Sequence, residues 1–298
     1  MKRFPPKRVL VAADLSAPSL SAVAAAKAYA LRWDASLEIV HVQQPPMPAL
    51  WAGVAPMPAS LPPVLRENTR LVESKLRAAA AGFPPDQLKV STVRGWPPEI
   101  LLDLSRTARA DLLVMGTHGY AGLDRLLTGS VAEAVVRRAT IPVLAVPEGR
   151  DAAEITRVLA PWNASPYATR ALRWARDVAR SLGATLDVLH VAEPGRAVDE
   201  SWASLDRMLL AVLGAGPDWT LRARRGDARK CIIEEANSGR YGLVVLSAHR
   251  RRFGADFVLG STVERLLRHT SIPVMAVPSG VPGHHAPAAP SRSAVRQE

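Results

Sequence analysis

The feature that most constrains this chain is an internal duplication. GSVAEAVVRRATIPVLAVP (129–147) aligns with GSTVERLLRHTSIPVMAVP (260–278), and 10 of 19 positions are identical. Roughly one identity is expected by chance from average residue usage. Four further pairs keep the same order: VLVAADLS (9–16) with VLAPWNAS (158–165), EIVHV (38–42) with DVLHV (187–191), RGWPPEIL (94–101) with RGDARKCI (225–232), and DLLVMGTHG (111–119) with GLVVLSAHR (242–250). A repeat of about 140 residues is far too long for a solenoid and is the size of a domain. The boundary is expected in the polar stretch PEGRDAAEIT (147–156). Residues 1–150 then form one domain, 151–280 a second, and 281–298 a tail too poor in bulky apolar residues to pack.

Each unit reads as strands alternating with helices. In the first, short apolar runs at Arg8–Ala13, Ser36–Val42, Leu88–Arg94, Leu112–Met115 and Pro142–Val146 predict five strands. Strands apolar on both faces and separated by helices require a parallel sheet covered on both sides, with right-handed crossovers. In SLSAVAAAKAYALRW, residues Leu20, Val23, Ala24, Ala28 and Leu31 share a face at helical spacing, which predicts the buried side of the first helix. Pro97 and Pro98 suit the first turn of a helix carrying Ile100, Leu101 and Leu104. The fold class is α/β: two tandem open five-stranded parallel sandwiches. The main difference in length is QQPPMPALWAGVAPMPASLPP (43–63), read as a long loop that is either a lid or docking surface or a tolerated insertion.

Bulk properties set limits on function. No apolar run approaches the roughly 18–20 residues that span a bilayer, and MKRFPPKRVLVAADLS lacks the apolar segment of a signal peptide. The single Cys231 excludes an internal disulfide and suits a reducing compartment, so the cytoplasm is expected. Net charge is +11, which favours anionic partners, but the arginine runs at 222–225 and 250–252 have few aromatic neighbours for stacking bases, and a nucleic-acid partner is not expected. The phosphate-loop motif G-x-x-x-x-G-K-[ST] is absent, VAADLSAPS has no glycine for a dinucleotide fingerprint, and neither H-E-x-x-H nor G-x-S-x-G occurs.

MGTHGYAGLDRLLTGS (115–130) carries the chemistry that remains. In an open α/β sheet, ligands bind beyond the carboxyl ends of the strands, and Met115-Gly116 ends the fourth. Gly116 and Gly119 lack a Cβ, so a ligand could approach the backbone there. Gly129-Ser130 opens the next helix, whose free amides and partial positive charge favour phosphate. A structural alternative stays open: Ser130-x-x-Glu133 is also a capping box, and 116–122 also suits a plain turn.

The pattern Gly116-x2-Gly119-x9-Gly129-Ser130, the repeated IPV-x-AVP ending and the opening VLVAADLS resemble the universal stress protein family. The resemblance covers roughly 7–147 and 156–278 and marks a tandem member. It implies a strand order of 3-2-1-4-5, pairing of units through their last strands, and ATP binding in the branch with the glycine signature. Carried onto this chain, it implies that Asp14 faces the adenosine and that Ala12, Val42 and Met115 line the base pocket. Gly116, Gly119, Gly129, Ser130 and Val131 hold ribose and phosphates, with His118 nearby. The alternatives are a turn or cap role for Asp14 and plain core packing for Val42 and Met115.

In the second unit Ser247 replaces Gly116, Arg250 replaces Gly119, Asn163 replaces Asp14, and only Gly260-Ser261 survives, with Ser261-x-x-Glu264 as a capping box. The expectation is therefore ATP, with or without Mg2+, bound in the first unit and poorly or not at all in the second. The chain would act as a nucleotide-responsive stress or regulatory binding protein with an unidentified protein partner, not at a membrane. The two units would pair within the chain, leaving room for a homodimer as well. The alternatives are a slow ATPase or phosphotransfer protein, with Asp14 and Asp124 as its acidic candidates, or a structural protein whose basic surface associates with DNA.

Overall fold

A computed structural model describes residues 4–44, 63–117, 130–149, 155–192, 202–248, 250–253 and 256–279. The 43–63 loop, apart from its ends, and the 281–298 tail lie outside these residues. The first unit comprises β1 (Arg8–Ala12), α1 (Ala17–Trp33), β2 (Ser36–Gln43), α2 (Pro63–Ala79), a 3-10 turn (Pro85–Gln87), β3 (Leu88–Arg94), α3 (Pro97–Thr107), β4 (Leu112–Gly116), α4 (Ser130–Arg138) and β5 (Val143–Val146). The second comprises β6 (Arg157–Pro161), α5 (Pro166–Leu182), β7 (Thr185–Ala192), α6 (Trp202–Leu213), β8 (Trp219–Arg225), α7 (Ala228–Ala236) and β9 (Leu243–Ala248). It continues with β10 (Arg250–Phe253), β11 (Asp256–Leu259), α8 (Ser261–His269) and β12 (Val274–Pro278).

The units do not form two separate sheets. Ten strands make one sheet in the order β3-β2-β1-β4-β5-β12-β9-β6-β7-β8. Pairing is parallel within each unit, as in Val9↔Leu37 and Val158↔Leu186. The join between β5 and β12 is antiparallel, with Met275 opposite Leu144. The two carboxyl edges therefore lie at opposite ends of the sheet. Alternate residues of each strand feed two apolar layers, one per face: Val9 and Val11 go to the α1 side and Leu10 to the α3–α4 side. Both layers run through both units, so the core is continuous across the join.

The first helix buries a different face from the one its leucines suggest. Leu20 and Leu31 are 39% and 48% exposed, while Ala22, Val23, Ala25, Ala26, Tyr29, Ala30 and Trp33 are buried. The alanine methyl is too short to hold the helix axis away from the sheet, so the alanine stripe packs closest and the larger leucines are left outside. Two large rings complete the buried face, Tyr29 stacking on Trp33 at 4.9 Å. Phe4 then inserts between Trp33 (5.6 Å) of the first unit and Trp174 (5.5 Å) of the second. The Trp33 indole donates to Ser181 Oγ at 3.1 Å, so the end of α1 is anchored on α5.

The repeat also explains local geometry. Gly95 and Gly226, the glycines of the two Arg-Gly pairs, turn the chain from strand to helix at φ +148° and +138°. A Cβ on Gly95 would lie 2.7 Å from Ile100 Cγ1. Pro97 and Pro98 occupy the first turn of α3, where a missing N–H costs nothing.

Candidate functional site

The predicted site lies at the carboxyl edge of the first unit. Val11, Val40 and Val114 are fully buried, and one or two residues further along the strands Ala12, Val42 and Gly116 become half-buried. Ala12, Val42 and Val131 pack against the apolar layer that contains Met115. Four predicted residues, from β1, β2, β4 and α4, thus belong to or pack on the apolar layer of one face of the sheet, Met115 buried and the other three partly exposed. His118, Gly119, Gly129 and the Ser130 side chain lie outside the described residues.

Asp14 sits just beyond Ala12 in a built turn. Its Oδ1 accepts from the Ser16 N–H at 2.9 Å and from the Ser16 hydroxyl. Its own N–H donates to Ser19 Oγ at 3.2 Å. The turn holds Leu15 at φ +65°, a conformation that costs an ordinary residue roughly 1–2 kcal/mol. The second unit repeats the device: Asn163 Oδ1 accepts from the Ser165 N–H and hydroxyl at 3.3 and 2.7 Å, and Ala164 stands at φ +59°. One oxygen of Asp14 is therefore used in shaping the turn, and an amide oxygen can take its place there.

His41 and His190 occupy the same place in the repeated segments EIVHV and DVLHV. His41 Nδ1 lies 2.9 Å from the Ala13 carbonyl, and His190 Nδ1 lies 3.2 Å from the Trp162 carbonyl. A carbonyl only accepts, so Nδ1 carries the proton in both. Each histidine pins the residue that follows the first strand of its unit, and so positions the Asp14 or Asn163 turn.

Gly116 has a packing role that the sequence reading did not foresee. A Cβ there would stand 2.9 Å from the Pro18 carbonyl carbon, 3.0 Å from Ser19 N and 3.1 Å from Pro18 Cβ. The missing side chain lets the start of α1 close onto β4; the atoms it admits belong to the protein itself.

The second unit's capping box also resolves differently. In the second unit Gly260 is the N-cap and no side chain caps α8. Glu264 instead pairs with Arg268 at 2.9 Å. In the first unit the Glu133 carboxylate takes two hydrogen bonds from Arg268, Nε to Oε1 at 2.8 Å and Nη2 to Oε2 at 3.2 Å. This contact spans 135 residues, and Glu133 raises the pKa of the Arg268 guanidinium.

Several second-unit residues differ from their first-unit counterparts near the equivalent edge. Trp162, at the place of Ala13, is buried, packs edge-on to His190 at 6.4 Å and donates to Thr169 Oγ1 at 3.1 Å. Ser247 Oγ is buried with no hydrogen-bond partner. Arg250 opens the β10–β11 hairpin, which lies against α4 of the first unit.

Two arginines of the first basic run are paired with carboxylates. Arg222 Nε donates to the buried Asp187 at 2.5 Å and Arg224 Nη2 to Glu234 at 2.7 Å. Tyr241 donates within the same cluster, its oxygen 2.9 Å from both Asp187 and Glu235. Burial first, then these two carboxylates, pushes its pKa well above the ordinary tyrosine value. A cleft of about 380 Å3 between α3 and α4 is lined by Glu99, Leu102, Asp103, Ser105, Arg106, Arg138 and Thr140. It shares no residue with the predicted site, and its arginines are paired, Arg138 with Glu99 and Arg106 with Asp103. Among the described residues no cluster of three or more His, Cys, Asp or Glu side chains could hold a metal. No described helix is long and apolar enough to cross a membrane.

In donor chemistry the first unit's edge suits a nucleotide. It offers apolar surface for a base, a carboxylate for ribose hydroxyls, and the amide end of α4 for an anion.

The fold defines a tandem α/β protein, two homologous units fused through their last strands into one sheet. The chain belongs to the universal stress protein family, whose model matches residues 5–147 and again 154–278. It is 30% identical over 288 residues to a universal stress protein of Mycolicibacterium smegmatis, covering 90% of this chain and 96% of that one. It is 34% identical over 145 residues to universal stress protein A homolog 1 of Coxiella burnetii, covering 47% of this chain and 95% of the relative. A universal stress protein structure from Archaeoglobus fulgidus superposes with a TM-score of 0.70 at 20% identity, covering 93% of this chain and all of that one.

Proposed function

We propose that the first unit binds ATP, with or without Mg2+, and that the chain acts as a nucleotide-responsive regulatory protein of the stress response. The observation that supports this reading is that Ala12, Val42 and Val131, all partly exposed, pack against the apolar layer that contains Met115 at the carboxyl edge of the first unit. In the proposal the base lies on those residues, the Asp14 carboxylate receives ribose hydroxyls, and the phosphates meet the segment His118, Gly119, Gly129 and Ser130. Gly116 contributes by keeping β4 close to α1. His41 positions the Asp14 turn through the Ala13 carbonyl.

The units are taken as 1–150 and 151–280, with the second binding ATP weakly or not at all. Ser247 and Arg250 stand where the first unit has its signature glycines, and Asn163 brings no charge to that edge. Intrachain pairing already uses β5 and β12, so a homodimer would use another surface. A protein partner would read the nucleotide-bound conformation in a reducing compartment, the cytoplasm.

Native mass spectrometry of the full chain with ATP tests the reading. One ATP per chain is expected, lost in Ala12→Phe, which crowds that surface, and kept in Val191→Phe at the second edge. Two equivalents per chain, or unchanged binding in Ala12→Phe, contradicts it.

A further inference from the structure

We infer that the Trp96 indole stacks on the base of the nucleotide at the first unit's edge and selects a purine there. The inference rests on the reading that the first unit binds ATP, and adds the residue that sets the preference for its base.

The fold brings Trp96 to that edge. Strands β2 and β3 pair in parallel through Val42↔Val93 and Gln43↔Arg94, and the Gly95 N–H donates to the Gln43 carbonyl at 3.2 Å. Trp96 comes next, as the N-cap residue of α3. The turn at Gly95 carries the chain onto the face of the sheet that bears the proposed base contacts. Leu101 and Leu102 of α3 lie in the same apolar layer as Met115, and Ala12, Val42 and Val93 pack against it. Trp96 therefore stands at the carboxyl edge of β3, where the chain enters that face.

Neither packing nor helix capping accounts for a tryptophan here. Trp33, Trp162 and Trp174 are buried and Trp219 packs against the core, whereas Trp96 is 54% exposed. An indole left in water forgoes most of the stabilisation that its burial would give. No side chain caps α3. At the same place in the repeat, Asp227 Oδ1 accepts from the Lys230 N–H at 2.9 Å and caps α7. Aspartate is among the preferred residues at that position because its oxygen satisfies a free amide. The unit that carries the glycine signature thus gives up a stabilising cap and presents an aromatic ring instead, while the unit that has lost the signature keeps the cap.

Stacking on a base explains the exchange. A flat base resting on aliphatic side chains keeps part of its surface in water, and an indole at the rim can cover it. A purine has two fused rings and offers more stacking surface than a pyrimidine. The backbone around Trp96 is already fixed: Pro97 and Pro98 are buried, and a Cβ on Gly95 would stand 2.7 Å from Ile100 Cγ1. Only the side chain itself has to be ordered on binding, which keeps the entropic cost low.

The test is calorimetric titration of the full chain with ATP, adenosine and UTP, alongside thermal unfolding without ligand. Trp96→Ala is expected to weaken ATP and adenosine binding about five- to thirtyfold, the range for loss of one base–aromatic stack, and UTP binding less. Trp96→Phe should keep most of the affinity. Trp96→Asp, which installs the second unit's residue, should raise Tm by about 2–4 °C through the restored cap and still weaken adenosine binding, adenosine having no phosphate for the new charge to repel. A stability gain with an affinity loss cannot come from a folding defect. Unchanged adenosine binding in Trp96→Ala and Trp96→Asp overturns the inference, as does equal weakening toward ATP and UTP in Trp96→Ala, which would mean a merely structural role. Failure of the unaltered chain to bind ATP overturns instead the reading on which the inference stands.

Discussion

Gly116→Ala separates two explanations of the same glycine. If Gly116 exists to admit a ligand, a methyl group there abolishes binding and leaves folding untouched. The structure places that methyl 2.9–3.1 Å from Pro18 and Ser19, two of the three contacts being backbone atoms of the start of α1. Backbone cannot rotate aside as a side-chain tip can, so α1 must move off β4 by a few tenths of an ångström. Overpacking of this kind costs typically 1–3 kcal/mol. At about 2–4 °C per kcal/mol for a domain of 150–250 residues, a cost near 2 kcal/mol lowers Tm by about 4–8 °C. Ser19 also accepts the Asp14 N–H, so the shift propagates to the Asp14 turn, and ATP binding weakens along with stability. Thermal and urea unfolding of the full chain, paired with ATP titration, gives both quantities. A Gly116→Ala protein with unchanged unfolding and abolished binding refutes the packing argument. The second unit houses Ser247 at this position with its Oγ buried and unpartnered, so Ser247→Ala is the control and is expected to be neutral or slightly stabilising.

Two further expectations concern the body of the protein. Phe4→Ala removes the ring between Trp33 and Trp174; a loss of about 1–3 kcal/mol is expected, less than for a fully buried phenylalanine, with a red shift of tryptophan emission before global unfolding. For Tyr241 the folded-state pKa is raised, so above about pH 10 the unfolded chain loses its phenolic proton while the folded chain keeps it. Stability should then fall with pH by about 1.4 kcal/mol per unit from this group. Tyr241→Phe should show a shallower decline between pH 10 and 11.5 in urea unfolding, and parallel curves would contradict the assignment.

Much of the architecture was legible before any coordinates, and the reason is periodicity. Strands buried on both faces must be continuously apolar, and two copies of one pattern must fold alike, so the five strands and the carboxyl-edge location of Ala12, Val42 and Met115 could be read directly. The Asp14 and Asn163 turns were likewise written locally, in Asp-Leu-Ser and Asn-Ala-Ser. The buried side of α1 was misread because hydrophobicity ranks leucine above alanine, whereas helix-to-sheet distance ranks them the other way, and that distance exists only once the helix is docked.

The glycine at 116 shows the same limit: a missing Cβ is visible in a sequence, but whether a ligand or the protein's own helix fills the space depends on what is brought near it. Sequence by itself determined the fold of each unit and the edge at which chemistry can occur, because both follow from short-range pattern. The family resemblance already implied pairing through the last strands; only tertiary structure decided that this pairing is antiparallel, that the two carboxyl edges therefore point apart, and that Arg268 reaches Glu133 across 135 residues, because pairing between distant segments depends on the direction in which two strands meet.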